Sequence, residues 1–167
     1  YSAPSYLYGE TKHAFALQVL NEIIGGGTTS RLYQSLVVDK SLAVAAGSWY
    51  RAENIGPSVF GFYASPQEGV SIELLEKSID REIRQVLKDG VTKEEVRAAI
   101  TRLQRTAIFA KDSVTAPARI IGSALASGRS VRDIEDWPNK VSEVVKDDVI
   151  AAAEWVFRIN RSVTAAL

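Results

Sequence analysis

Apolar and polar residues are spaced along this chain so that helical stretches lie on both sides of a pair of strands. An apolar residue every three or four positions is typical of a helix with one buried face, and strict alternation is typical of a strand. The helical spacing predicts two helices before the strands and about five after them. Small, β-compatible residues at 41–51 and alternation at 58–65 predict two antiparallel strands joined by a turn at 54–57. Residues 162–167 are predicted to form a final strand.

The helices also have start signals and inward-facing residues. Thr92 with Glu95 forms a capping box, and Ser130 with Asp133 marks another helix start. The residues predicted to face inward are Val96, Ala99, Ile100, Leu103 and Ala107 on one helix, and Ile120, Ile121, Ala124 and Leu125 on the next. The dipeptide Trp137-Pro138 is predicted to interrupt the helical pattern.

The stretch Gly-Gly-Gly-Thr-Thr-Ser-Arg-Leu at residues 25–32 ends one helix and begins another. Glycines allow a tight reversal, and a hydroxyl of residues 28–30 can cap the second helix. A phosphate-binding loop is disfavoured because no Lys-Ser or Lys-Thr follows and no strand precedes the glycines. The stretch is therefore predicted to be a structural turn and helix cap, formed by Gly25, Gly26, Gly27, Ser30 and Arg31.

These elements predict one α+β domain over residues 1–167, in which helices cover an antiparallel sheet. Three short strands are few for so many helices. We therefore expect the sheet to lack its first strands, which would precede Tyr1.

Composition narrows the possible partners. The chain has 20 basic and 20 acidic residues, so its formal net charge is zero and a nucleic-acid partner is disfavoured. Four basic residues on one predicted helix face are expected to be solvated: Arg97, Arg102, Arg105 and Lys111. With no cysteine, disulfides and thiolate metal sites are excluded, and neither cytoplasm nor periplasm is favoured. No apolar run is long enough for a membrane span.

Few residues in this chain could carry out catalysis. His13 is the only histidine and is predicted to be structural or on the surface. The carboxylate pairs Glu94/Glu95 and Asp147/Asp148 lie at helix starts, where capping explains them. The sequence contains no H-x-x-E-H metal motif and no Gly-x-Ser-x-Gly nucleophile motif. It therefore predicts no catalytic residue and no metal ligand.

Residues 16–36, Ala-Leu-Gln-Val-Leu-Asn-Glu-Ile-Ile-Gly-Gly-Gly-Thr-Thr-Ser-Arg-Leu-Tyr-Gln-Ser-Leu, resemble the pitrilysin/insulinase-type (inverzincin) zinc peptidases, which include mitochondrial processing peptidases. Residues 61–64, 90–95, 124–128 and 145–149 fit the same family. Lys146 departs from it, because the family usually has Thr there. The resemblance covers nearly the whole chain.

The resemblance implies α+β domains in tandem, the first of which binds zinc through H-x-x-E-H. Since this chain lacks that motif, it resembles the C-terminal non-catalytic domain of a two-domain metalloendopeptidase subunit, inactive alone. The implied roles are chamber wall, substrate-positioning surface and dimer contact. The implied partners are an upstream zinc-bearing domain, a homo- or heterodimer subunit and a peptide substrate.

Some family members supply an Arg and a Tyr to the active site from a domain of this type. The matching positions here hold Val37 and Val44, whose side chains cannot donate a hydrogen bond. The resemblance then implies that the partner half supplies that pair. An alternative is a structural subunit of the same fold that has lost peptidase activity. A third hypothesis is an unrelated α+β domain that binds a small ligand.

Overall fold

The computed structural model describes residues 1–166, with every side chain in that range except that of Lys111. The strands are β1 (Ser2–Ala3), β2 (Ala43–Tyr50) and β3 (Ser58–Pro66). The helices are α1 (Ala14–Ile24), α2 (Arg31–Tyr33), α3 (Ile72–Asp89), α4 (Lys93–Lys111), α5 (Ala116–Ala126), α6 (Val131–Glu135), α7 (Trp137–Ser142) and α8 (Lys146–Val156). A π-helical segment, Gln34–Asp39, continues α2, and 3₁₀ turns span Thr11–His13 and Ile159–Arg161. The predicted α+β fold is confirmed.

The three strands form one antiparallel sheet in the order β1-β3-β2. Tyr50 lies opposite Phe60, and the pairing between β2 and β3 continues to Ala43 opposite Pro66. Val44 is the extra residue of an irregularity between Ala43 and Ala45. β1 was not predicted as a strand, because its two residues are too few to show alternation.

The core lies between the sheet and the helices. Phe60 of β3 is fully buried, and its ring centroid is 5.2 Å from that of Phe157 and 5.4 Å from that of Phe62. Leu17 and Leu20 of α1 are also fully buried. α1 contacts α4, α8 and β2, which explains why it is apolar on much of its surface.

The predicted capping box at Thr92/Glu95 is present, and the helix start predicted at Ser130 with Asp133 is also a capping box. α8 begins with only half of such an arrangement: the Asp148 carboxylate accepts a hydrogen bond from the Val145 N–H at 3.0 Å, and the valine side chain has no acceptor to offer in return. These short-range patterns formed as predicted because the donors and acceptors lie within one helical turn.

The predicted burial of α5 is largely wrong. Ala124 is buried, but Ile120, Ile121 and Leu125 are 42%, 37% and 54% exposed. α5 contacts α4 and α6 at the side of the domain, and within residues 1–166 nothing covers its remaining apolar surface. Helical spacing identifies residues that share a face, whereas burial depends on what packs there.

Three further expectations are corrected. Residues 162–166 form no strand, and Val163 is 92% exposed; Leu167 lies outside the described residues. Pro138 lies in the first turn of α7 and so helps to start a helix instead of only interrupting one.

Arg102 does not belong to a solvated row, because its Nε donates to Glu22 Oε1 at 2.7 Å. Arg97 and Arg105 are exposed as predicted, and the Lys111 side chain lies outside the described part.

Candidate functional site

The turn at residues 25–27 packs directly against the edge of the sheet. The Ser48 N–H on β2 donates to the Gly25 carbonyl at 3.2 Å. A Cβ at Gly25 would lie 2.2 Å from the Ser48 nitrogen, far inside contact distance. Glycine is therefore required at position 25 because the turn approaches β2 so closely. Backbone conformation is not the reason, since the φ of Gly25 is an ordinary −146°.

The second half of the turn differs from the predicted cap. Ser30 is the N-cap residue of α2, but its hydroxyl donates back to the Gly27 carbonyl at 2.6 Å and accepts no helix N–H. Gly27 has a φ of +148°, which side chains rarely adopt. Gly26 faces Glu22, whose Cα would lie 2.6 Å from a Cβ there. Ser30 thus closes the turn through a hydrogen bond within it.

Arg31 is fixed by partners from elsewhere in the chain. Its Nε and Nη2 donate to the two Glu95 carboxylate oxygens at 2.6 and 2.7 Å, and Nη2 also donates to the Gly90 carbonyl at 3.1 Å. Burial alone would raise the pKa of Glu95, but hydrogen bonds from Arg31 and Thr92 outweigh it and lower that pKa. Arg31 therefore joins the turn to the start of α4.

The face of the sheet opposite the core is exposed and aromatic. Trp49 and Tyr63 are 41% and 53% exposed, and Val59 lies beside them. Each aromatic ring lies over a glycine directly across the strand pair: Trp49 over Gly61 and Tyr63 over Gly47. A Cβ at either glycine would overlap the ring, so the glycines let both rings lie flat on the backbone.

A groove of about 420 Å³ joins this aromatic face to the glycine turn. Its lining includes the three turn glycines, Tyr33, Ala46, Ser48 and Tyr63. This surface was not predicted from the sequence. The signal was available, because glycines and aromatics occupy alternate positions at 47, 49, 61 and 63 in two paired strands.

The residues considered for chemistry do not come together. His13 packs against Trp155, with ring centroids 5.8 Å apart, while Glu95 and Asp148 cap helices. Residues 1–166 contain no group of three or more His, Cys, Asp or Glu side chains placed to hold a metal ion. Val44, the position implied for the family's tyrosine, is 58% exposed, and Val37 is half-buried.

The family described as the peptidase M16 inactive domain matches residues 3–103. This chain belongs to that family. The resemblance to zinc peptidases of the inverzincin type is thereby confirmed, and so is the prediction of a non-catalytic domain. In this M16 inactive domain the matched residues include β2 and β3, the glycine turn, Arg31 and Glu95.

Curated relatives of this M16 domain are named zinc proteases. An uncharacterized zinc protease of Rickettsia felis is 30% identical over 150 residues, which are 90% of this chain and 36% of that protein. One from Streptomyces coelicolor is 28% identical over 139 residues, 83% of this chain and 30% of that protein. The chain thus spans about a third of the length of the curated relatives it matches.

Solved structures share the fold of this M16 domain. A protease from Helicobacter pylori superposes with a TM-score of 0.84 at 23% identity, covering 95% of this chain and 37% of that chain. The inactive peptidase domain from Bordetella parapertussis superposes with a TM-score of 0.82 at 18% identity, covering 96% of this chain and 84% of that chain.

None of the helices in residues 1–166 is both long and apolar enough to cross a membrane.

Proposed function

We propose that this chain is the metal-free domain of a zinc endopeptidase subunit, and that the aromatic face of its sheet is part of the wall of a peptide-cleavage chamber. The observation that carries the proposal is the exposed pair Trp49 and Tyr63, supported on Gly61 and Gly47 and continuous with the groove at the turn. Flat exposed aromatic rings offer contact area to apolar side chains of an unfolded peptide without requiring one sequence.

The edge of β2 supports a role in positioning the peptide main chain. The Ser48 N–H points away from β3, since it bonds to Gly25. Backbone groups two residues apart in a strand point the same way, so those of Ala46 are directed toward the groove that Ala46 lines. An extended peptide can add to such an edge through main-chain hydrogen bonds.

The zinc would lie in an upstream domain of the same protein. Relatives named zinc proteases are about three times as long as the stretch this chain matches, which leaves room for a metal-binding domain. Valine at positions 37 and 44 supports a two-subunit arrangement in which the partner provides the hydrogen-bond donors at the active site. In that arrangement this domain also contributes to the dimer contact.

The proposal of a peptidase is tested on the full-length protein, alone and mixed with its partner subunit. We expect one zinc per chain and cleavage of an unfolded peptide that a chelator abolishes and zinc restores. If neither preparation binds zinc and neither cleaves the peptide, the result would instead favour a structural subunit of the same fold.

The role of the aromatic face is tested separately with the double variant Trp49→Ala/Tyr63→Ala. We expect KM for an unfolded peptide to rise about tenfold, with zinc content unchanged, because contacts worth about 1.4 kcal/mol are lost. The matched control is Ile55→Ala/Ile72→Ala, which removes two apolar side chains that are also exposed but lie outside this face. Equal KM values in the two variants would exclude the wall role without affecting the zinc result.

A further inference from the structure

β3 has two sides for strand pairing, and one of them is used only at the start of the strand. On that side β1 lies opposite Ser58 and Val59, and Tyr1 extends the ladder by one residue. The Tyr1 nitrogen donates to the Phe60 carbonyl at 3.0 Å, and the Phe60 N–H donates to the Tyr1 carbonyl at 2.9 Å. Beyond Phe60, the described part of the chain places no strand on this side, although β2 pairs with the other side as far as Pro66.

The main-chain groups of Phe62 and Ala64 point toward this unpaired side. Groups two residues apart along a strand point the same way, and those of Phe60 bond to Tyr1. Residues 1–166 offer Phe62 and Ala64 no main-chain hydrogen bond there. We call these two residues the open edge of β3. Such an edge is a template for one more strand.

The exposure of side chains rises along β3 at the same place. Alternate residues of the strand lie on the face that packs against the helices: Ser58, Phe60, Phe62 and Ala64. The first two have β1 or Tyr1 beside them and are buried. Phe62 and Ala64 have no such neighbour within residues 1–166 and are only half-buried, although both contact the core. A further strand on the open edge would complete their burial.

The direction of β1 and the length of the relatives indicate what occupies the open edge. β1 runs antiparallel to β3, so a chain continued backward from Tyr1 would run past Phe62 toward Ala64. Curated relatives are about three times as long as the stretch that this chain matches, which leaves room for a segment before Tyr1. A segment joined covalently to Tyr1 meets the edge at a high effective concentration, which favours it over a free peptide or a second copy of this chain.

We propose that the residues immediately before Tyr1 in the longer protein continue β1 along the open edge of β3. The pairing of Tyr1 with Phe60 sets the register, so the second residue before Tyr1 lies opposite Phe62 and the fourth lies opposite Ala64. Both of these upstream residues share the core face of the sheet, and we therefore expect them to be apolar.

The added strand also extends the aromatic face. The first and third residues before Tyr1 lie opposite Gly61 and Tyr63, so their side chains join that face. This consequence rests on the proposed function, in which the face is part of the chamber wall. The strand would then connect the wall to the upstream domain through a main-chain ladder. The pairing itself needs neither zinc nor cleavage, so its tests remain valid if the peptidase proposal fails.

Hydrogen exchange of the full-length protein, resolved to single amides, tests the pairing. The Gly61 and Tyr63 N–H groups point to β2 and serve as internal controls. We expect the Phe62 and Ala64 N–H groups to exchange within about tenfold of these controls. Proline at the second residue before Tyr1 removes the N–H that would donate to Phe62, and it should speed exchange at Phe62 and Ala64 at least about tenfold with the controls unchanged. Rapid exchange at Phe62 and Ala64 in the unmodified protein, beside slow controls, would overturn the proposal.

An engineered disulfide tests the register and the identity of the added strand. Residues 1–167 contain no cysteine, and any cysteine elsewhere in the full-length protein is first replaced by serine. Tyr63→Cys with a cysteine at the third residue before Tyr1 joins a directly opposed pair and should form a disulfide within one chain. The matched control moves the upstream cysteine to the second residue before Tyr1, on the other face, and should not crosslink. Disulfides between two chains, no disulfide, or equal yields in both variants would each overturn the proposal.

Discussion

Arg31 and Glu95 are 64 residues apart in the chain and form a two-point ion pair, with N–O distances of 2.6 and 2.7 Å. The same carboxylate accepts a hydrogen bond from the Thr92 N–H at 2.7 Å, so Glu95 is both the capping-box residue of α4 and the partner of the turn. The pair thus fixes the short helix after the glycine turn against the start of α4. Both side chains are less than a third exposed.

Arg31→Ala should reduce the free energy of unfolding by about 1–2 kcal/mol, because a charge-assisted, two-point hydrogen bond is lost. Arg31→Lys should recover only part of this, since an ammonium cannot match both carboxylate oxygens. Urea unfolding measures the difference. The control is Arg84→Ala, whose pair with Asp80 is at 3.9 Å and largely exposed, and which should cost less than about 0.5 kcal/mol. Equal losses would mean that the Arg31 pair has no special role.

Gly25→Ala should destabilise the protein by about 2 kcal/mol or more, because the new methyl group would overlap the Ser48 backbone and force the turn away from β2. Gly56→Ala is the matched control, since a Cβ there meets no atom within 4 Å. We expect that control to lie within about 0.5 kcal/mol of the parent or to be slightly more stable. Thermal unfolding compares them, and similar midpoints would contradict the close packing of turn and strand.

Phe60→Ala should lower the free energy of unfolding by about 3–5 kcal/mol, because it leaves a cavity among Tyr50, Phe62 and Phe157. The neighbouring residue provides a sharp control: Val59 is 42% exposed on the opposite face, and Val59→Ala should cost less than about 1 kcal/mol. Equilibrium denaturation distinguishes the two. Similar costs would mean that the faces of β3 are assigned the wrong way round.

His13 should make stability depend on pH. Burial lowers the pKa of His13 below its ordinary value of 6.5, and the positive charge of Lys12 lowers it further. The folded protein therefore binds this proton less readily than the unfolded chain does. The contribution of neutral His13 to the free energy of unfolding is fully present above about pH 6.5, and it is lost as the pH falls through the lowered pKa. His13→Asn should remove that part of the pH dependence, and an unchanged pH profile would show that His13 is not responsible.

Short-range features could be predicted from the sequence. Thr92 with Glu95, and Ser130 with Asp133, formed their capping boxes because all the groups involved lie within one helical turn. The β2–β3 hairpin formed as predicted because alternation specifies which face of a strand is buried. The chain does turn at residues 25–27, where the glycines predicted a turn. The Ser30 hydroxyl, however, bonds within that turn and does not cap the helix as predicted.

Features that depend on long-range packing could not be predicted. The exposure of Ile120, Ile121 and Leu125 depends on what lies beside α5, which helical spacing does not reveal. The pairing of Arg102 with Glu22 joins residues 80 positions apart, so a solvated arginine was the natural expectation. The aromatic face, likewise, became visible only when Trp49 was aligned with Gly61.

The sequence by itself determined the α+β class, the position of the glycine turn, the main helices and the family resemblance, because periodicity, capping and turn chemistry are local properties. It also determined that this chain contains no H-x-x-E-H motif. Only the tertiary structure decided that Gly25 contacts Ser48, that Arg31 binds Glu95, and that Trp49 lies over Gly61. Those features join residues that are distant in the chain, and their energies depend on distance and burial, which exist only in the folded protein.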